Sequence, residues 1–310
     1  MKVIRDINDF PQLSFAVVTS GTFDGVHIGH QKILKRVKQR ARQSNGQSVV
    51  ITYWPHPRLV LFPEDNDLQL LSTIEERIEQ LRSFGIDYLL IIPFTKGFSR
   101  TSSRSFITDV IVRAISTKVL VIGYDHRFGK NREGSFENLK ARSAQYGFEV
   151  EEIPRQDVDD IAVSSTKIRK ALESGDIETA NRYLGRPYTL TSVVVEGNKL
   201  GRTIGYPTAN LALPVNHKLV PGHGVYTVWV HHAQEKHGGM MNIGVRPTVD
   251  GKQRTIEVHI LHFDRAIYGQ TVTVEFIKLL RPEQKFDGLE ALKEQLAKDK
   301  EATKQALGLL

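Results

Sequence analysis

Short apolar runs alternate with helix-periodic stretches as far as Leu184, and after Gly185-Arg-Pro187 that alternation stops. This change of texture constrains the fold more than any other feature of the chain. Residues 15–19, 48–54, 88–92, 119–122 and 148–152 read as strands, and 31–42, 74–84, 103–115 and 136–146 between them read as helices. Repeated strand–helix–strand units require crossovers, so the N-terminal region predicts a doubly wound parallel sheet of the α/β class. Beyond the change, 189–195, 225–230, 240–243, 255–261 and 271–276 are short and β-rich, separated by Gly, Pro or Asn, with a helix over 289–307. That pattern predicts a small β-barrel or sandwich closed by one helix. Two domains follow, 1–184 and 185–310.

Composition removes several classes of chemistry. The 310 residues include no cysteine, which excludes disulfides, thiolate metal sites and cysteine nucleophiles. No apolar run is long enough to span a bilayer and no apolar signal segment follows Met1, so the expected location is cytoplasmic, with no membrane partner. The net charge of +7 divides into +3 before Leu184 and +4 after it, with no basic arm or block. Dispersed charge suits polyphosphate anions better than a nucleic-acid duplex, so no nucleic-acid partner is expected. The sequence is silent on oligomeric state.

The string Gly21-Thr-Phe-Asp-Gly-Val-His-Ile-Gly-His30 follows the first strand and opens the first helix. Asp24-Gly25 turns the chain, and Gly29 lets backbone approach a phosphate at a helix N-terminus. Imidazoles at His27 and His30 can then stabilise charge on a transferring phosphoryl group without a covalent intermediate. Asp24 either stabilises the turn or faces the ligand. Further on, Ser164-Ser-Thr-Lys-Ile-Arg169 offers Ser164, Ser165 and Thr166 as caps of a helix whose N-terminus can hold anionic oxygens, with Arg169 as a planar fork. Pro55-His56-Pro57 forms a stiff loop after the second strand.

In the C-terminal region, Gly197-Asn-Lys-Leu-Gly201-Arg-Thr-Ile-Gly205 can wrap phosphates with backbone N–H groups, although it is not a P-loop. Pro207-Thr208-Ala209-Asn210 follows directly. Alternation in Thr255-Ile-Glu-Val-His-Ile260 turns Glu257 away from the apolar side of its strand, where it can accept a proton from an alcohol.

The first string resembles the H-x-G-H signature of the nucleotidyltransferases. Over essentially its whole length the chain is similar to the bacterial bifunctional riboflavin kinase/FMN adenylyltransferase (FAD synthetase) family. The resemblance implies that the barrel phosphorylates riboflavin with ATP and magnesium, and that the first domain adenylylates FMN to FAD with release of pyrophosphate. It implies catalytic roles for His27, His30 and Glu257. It implies nucleotide contacts from Gly21, Phe23, Asp24, Gly29, Asp125, Ser164, Ser165, Thr166 and Arg169 in one site, and from Gly197, Gly201, Arg202 and Gly205 in the other. Thr208 and Asn210 match the family's magnesium residues, while His56, Asn242, Arg246, Arg281 and Phe286 match its flavin contacts. An anchoring role for Phe286 on the last helix stays open beside this. In Gly123-Tyr-Asp-His-Arg-Phe-Gly129, His126 stands where the family's commoner pattern has an aromatic. The implied partners are riboflavin, FMN and ATP. A single-activity adenylyltransferase, an RNA-binding relative and a flavin-binding regulator without catalysis are the competing readings.

Overall fold

The computed structural model describes residues 1–64, 67–123, 136–153, 163–197, 200–213, 217–248 and 251–309. The described chain divides into two compact units, Met1–Ser165 and Thr166–Leu310.

The first unit is a six-stranded sheet: β1 (Lys2–Ile4), β2 (Ala16–Ser20), β3 (Gln47–Trp54), β4 (Tyr88–Pro93), β5 (Thr117–Gly123) and β6 (Glu149–Ile153). Its order is β1-β4-β3-β2-β5-β6, and every pairing is parallel. The helices are α1 (Ile28–Gln43), α2 (Pro57–Leu61), α3 (Ile74–Ser83) and α4 (Phe136–Tyr146), with a helical turn Ser103–Ser105 running into a π-helix Phe106–Ala114. Val49 and Ile51 of β3 join one hydrophobic cluster and Val50 another, so alternate residues bury both faces of the sheet. Leu34, Val37 and Ala41 of α1 are buried at helical spacing. The chain runs β2, β3, β4 in one direction and then returns to place β5 on the other side of β2. The carboxyl ends of β2 and β5 therefore flank the crevice in which open α/β sheets bind ligands.

The second unit begins with α5 (Ser165–Glu173, entering it at Thr166) and α6 (Ile177–Leu184). A closed barrel follows, built from β7 (Tyr188–Val195), β8 (Ala209–Leu211), β9 (Gly224–His232), β10 (Glu235–Thr248), β11 (Gly251–Ile260) and β12 (Thr271–Arg281) in the order β10-β11-β8-β7-β12-β9. A one-turn helix α7 (Leu200–Thr203) precedes β8, and α8 (Leu289–Leu307) ends the chain. Leu190, Val194, Val228, Val230, Met241, Ile243, Ile256, Val258, Val272 and Val274 alternate along their strands into the barrel core. The division between units falls before α5 and α6, ahead of the sequence boundary at 184/185. The Asn181 amide of α6 donates to Phe276 O at 2.8 Å and accepts from Tyr188 N at 2.7 Å, which ties that helix to the barrel.

Candidate active sites

The first site grows from the loop between β2 and α1. β2 is buried at all five positions and delivers the chain to the carboxyl edge of the sheet at Ser20. Phe23 and Val26 then take positive φ angles of 48° and 40°, unusual for an aromatic and a β-branched residue. Full burial of both in a cluster with Leu34, Val50 and Ile78 holds that conformation. Hydrogen bonds complete the turn: Thr52 Oγ1 donates to Thr22 O (3.1 Å) and Gly25 N to Ser72 Oγ (3.1 Å). Asp24 is 1% exposed, and its carboxylate accepts from Leu71 N (3.1 Å), Ser72 N (3.0 Å) and Ser72 Oγ (3.2 Å). These bonds tie the Asp24 carboxylate to the turn.

His27 is the N-cap of α1, its Nδ1 accepting from His30 N at 3.4 Å. A neutral ring bonded in this way carries its proton on Nε2. The His27 and His30 rings stack with centroids 3.7 Å apart and an angle of 17° between planes, and Phe23 packs on His30 at 5.1 Å. His30 Nδ1 is buried without a hydrogen-bond partner among the described residues. Burial, then the neighbouring His27 and Arg77, hold the His30 pKa well below its ordinary 6.5. The free site therefore presents a neutral His30 imidazole at the positive end of a sixteen-residue helix. A neutral His30 ring stacked on His27 can offer an N–H donor to an incoming polyanion.

Gly21 and Gly29 lie at the two ends of the same turn, Gly21 N donating to Ile51 O at 3.0 Å. Ser165, the last residue of the first unit, donates its Oγ hydrogen to Asp24 O at 3.2 Å. Ser164 immediately precedes α5, and Thr166 and Arg169 lie on it, exposed and half-buried. His56 caps α2, with Nδ1 accepting from Arg58 N at 3.2 Å, and the helix ends at exposed Leu61 and Phe62. Asp125 and the neighbouring His126 lie outside the described residues.

The second site is laid across three antiparallel strands. Glu257 of β11 pairs in register with Asn210 of β8 on one side and Asn242 of β10 on the other. Directly paired residues project from the same face, so residues from three separate motifs form one row. Thr208 Oγ1 donates to Glu257 Oε2 at 3.2 Å. Ile256 and Val258 are buried while Glu257 is half-buried, as alternation predicts.

The glycine loop closes onto this row. A Cβ at Gly197 would lie 2.2 Å from the Asn210 amide, and one at Gly201 would lie 2.2 Å from Tyr206 O. At Gly201 the obstacle is backbone and only glycine permits the approach, whereas a side chain at Gly197 would have to push the Asn210 amide aside. Arg202 is exposed on α7 and Gly205 follows it. Arg281, at the end of β12, forms a fork with Asp299 of α8 (Nη2–Oδ2 2.8 Å) and lies 5.5 Å over the Phe286 ring. Its guanidinium anchors the segment after β12 to the last helix. Arg246 is paired in β10, and its side chain lies outside the described atoms.

Two residues escape the sequence reading. Arg77, wholly buried on α3, lies 3.8 Å from Asp24. His259 shares the face of Glu257, and its Nδ1 bonds Pro207 O at 2.8 Å, which fixes the start of the Pro-Thr-Ala-Asn segment. Burial lowers the pKa of His259, a shift partly offset by that carbonyl.

Both halves match family models, FAD synthetase over residues 10–167 and riboflavin kinase over 184–307. A bifunctional riboflavin kinase/FMN adenylyltransferase from Listeria monocytogenes is 39% identical over 93% of this chain and 91% of its own length. The enzyme of that name from Escherichia coli K12 is 37% identical over 100% of this chain and 99% of its own. The chain belongs to the bifunctional riboflavin kinase/FMN adenylyltransferase family. A solved Streptococcus pneumoniae structure described as a macrolide-efflux protein is also similar, at 34% identity and a TM-score of 0.88 over 98% of both chains. Among the described residues of the present chain no helix is long and apolar enough to cross a membrane.

Proposed function

We infer that this chain synthesises flavin cofactors in two steps: ATP phosphorylates riboflavin to FMN with release of ADP, and a second ATP adenylylates FMN to FAD with release of pyrophosphate. The single observation that carries the reading is family membership along the whole chain, with the FAD synthetase and riboflavin kinase models matched in succession. We assign the kinase to the unit Thr166–Leu310 and adenylyl transfer to the loop site of the first unit.

In the kinase reaction the riboflavin 5′-hydroxyl attacks the γ-phosphorus and ADP leaves. Glu257 accepts the hydroxyl proton, with Thr208 donating to its carboxylate and so fixing its direction. Asn242 and Arg246 are assigned to the flavin, and Gly197, Gly201, Arg202 and Gly205 to the phosphates. The segment carrying Arg281 and Phe286 is assigned to the flavin side, tied down by Asp299. The hydroxyl of Thr208, the amide oxygen of Asn210 and the nearby carboxylate are hard oxygen donors that fit magnesium already carried by phosphates. Bound there, the ion would neutralise phosphate charge. Thr208 and Asn210 are the residues that would hold it.

In adenylyl transfer an FMN phosphate oxygen attacks the α-phosphorus and pyrophosphate departs. His27 and His30 donate N–H groups to the oxygens that gain charge, assisted by the N-terminus of α1. Ser164, Ser165, Thr166 and Arg169 are assigned to the departing phosphates, with Asp125 on the nucleotide. Gly21 and Phe23 shape the turn and Gly29 allows close approach. His56, with Leu61 and Phe62 exposed nearby, is assigned to the flat flavin ring. Dependence on ATP points to a cytoplasmic location.

A chromatographic assay with riboflavin, ATP and magnesium tests this reading. FMN should accumulate first and FAD follow. A folded protein that forms neither product would overturn it.

A further inference from the structure

Arg77 is 0% exposed, and apart from the Trp54 ring, 5.7 Å from its guanidinium, its charge meets only long polar contacts. Its nearest carboxylate oxygen, on Asp24, is 3.8 Å away, and its two hydrogen bonds, from Nη1 to Thr52 Oγ1 and to Tyr53 O, are long at 3.3 and 3.5 Å. Nε and Nη2 have no hydrogen-bond partner among the described residues. A buried guanidinium held so loosely contributes less to folding than a packed apolar side chain of similar volume would. Such an under-satisfied buried charge calls for another explanation.

Its neighbours supply one. Asp24 accepts from Leu71 and Ser72, and Ser72 Oγ in turn accepts from Gly25 N. Thr52, which Arg77 contacts, donates to Thr22 O. Arg77 thus touches both chains of bonds that hold residues 22–25, the turn leading into His27 and His30. The position of its helix is itself fixed, because Thr73 and Glu76 form a reciprocal cap at the start of α3.

We propose that Arg77 is a positioning residue for adenylyl transfer, its buried guanidinium set against Asp24 and Thr52 and supporting the arrangement that sets the His27/His30 turn. The proposal rests on the role assigned above to His27 and His30. Among the described residues, the charged or titratable groups acting on His30 are His27 from α1 and Arg77 from α3, with Asp24 facing Arg77. Arg77 therefore also contributes positive potential where a polyphosphate is to bind.

The full-length protein allows a test with an internal control, since FMN formation uses the other unit. Arg77→Met keeps the volume and removes the charge, whereas Arg77→Lys keeps the charge and loses the fork. Because small misplacements of catalytic groups are costly, Arg77→Met should lower kcat for FAD formation by about tenfold or more. Arg77→Lys should lose less, and FMN formation should stay within about twofold in both. In NMR titrations the His30 ring should move up towards 6.5 in Arg77→Met and stay low in Arg77→Lys.

Unaltered FAD formation in Arg77→Met, or Arg77→Met outperforming Arg77→Lys, would overturn the proposal. So would loss of both activities in parallel with a lowered melting temperature, which is the signature of a folding role. His30→Ala run alongside separates the two claims. If it retains FAD formation the underlying site assignment fails, whereas if it alone loses FAD formation only the Arg77 proposal fails.

Discussion

In the first unit the decisive residues arrive within one ten-residue string, Gly21 to His30, whereas in the barrel Asn210, Glu257 and Asn242 meet only because β8, β11 and β10 pair in register. The loop site depends on strained backbone held by local packing, with Phe23 and Val26 at positive φ inside a hydrophobic cluster. The barrel site depends on ladder register, and a slip of one residue would turn Glu257 into the core. A site of the first kind is sensitive to what supports its turn. A site of the second kind is sensitive to whatever approaches its row from the next loop.

Glu257→Gln should separate the two sites most severely. Loss of a general base costs roughly 10²–10⁴-fold, and here only FMN formation should fall; unchanged conversion of riboflavin would remove Glu257 from that role. His30→Ala should do the converse. Removing one preorganised donor should reduce FAD formation by about 10²–10³-fold while FMN still accumulates, and equal loss of both products would contradict the division of labour.

Gly197→Ala probes the barrel row from its neighbouring loop, because its methyl group must displace the Asn210 amide that lies 2.2 Å away. FMN formation should drop while FAD formation from supplied FMN persists. A fully active variant would show that Asn210 is not held by this contact.

Fragments probe the boundary. A chain starting at Thr166 should be more stable than one starting at Gly185, which lacks both Asn181 bonds to the barrel. Exposing or orphaning those groups costs about 1–3 kcal/mol, measurable by urea unfolding. Equal stability would favour the later boundary.

The smallest effect concerns pH. The His30 pKa is depressed in the folded state, so below about 6.5 the unfolded chain binds more protons and stability falls as pH falls. His30→Gln should flatten that decline, and an unchanged profile would show that the ring does not titrate as its burial implies.

How much of this was legible follows from the same contrast. The parallel sheet, the β-rich C-terminal region and the terminal helix were visible in apolar periodicity. β1 was not, since Lys2–Ile4 is too short to show a pattern. β8 leaves no pattern either, because Ala209–Leu211 is only three residues long, and the start of β10 is hidden because Gly238 and Gly239 interrupt its alternation. Motif strings located both clusters, but only the register shows that Asn210, Glu257 and Asn242 share a row.

Arg77 left a faint trace. Ile74, Ile78 and Leu81 mark the buried face of α3, and helical spacing places an arginine among them. A charge on an apolar face was the signal. His259 was likewise readable as the residue two along the strand from Glu257, on the same face.

Complementation between two disabled proteins tests the central claim, two sites acting independently in series, most directly. Glu257→Gln alone should fail to consume riboflavin, and His30→Ala alone should stop at FMN. Mixed with riboflavin, ATP and magnesium, the two folded variants should together produce FAD. A mixture that yields no FAD, although each variant keeps its remaining activity, would contradict independent action in series.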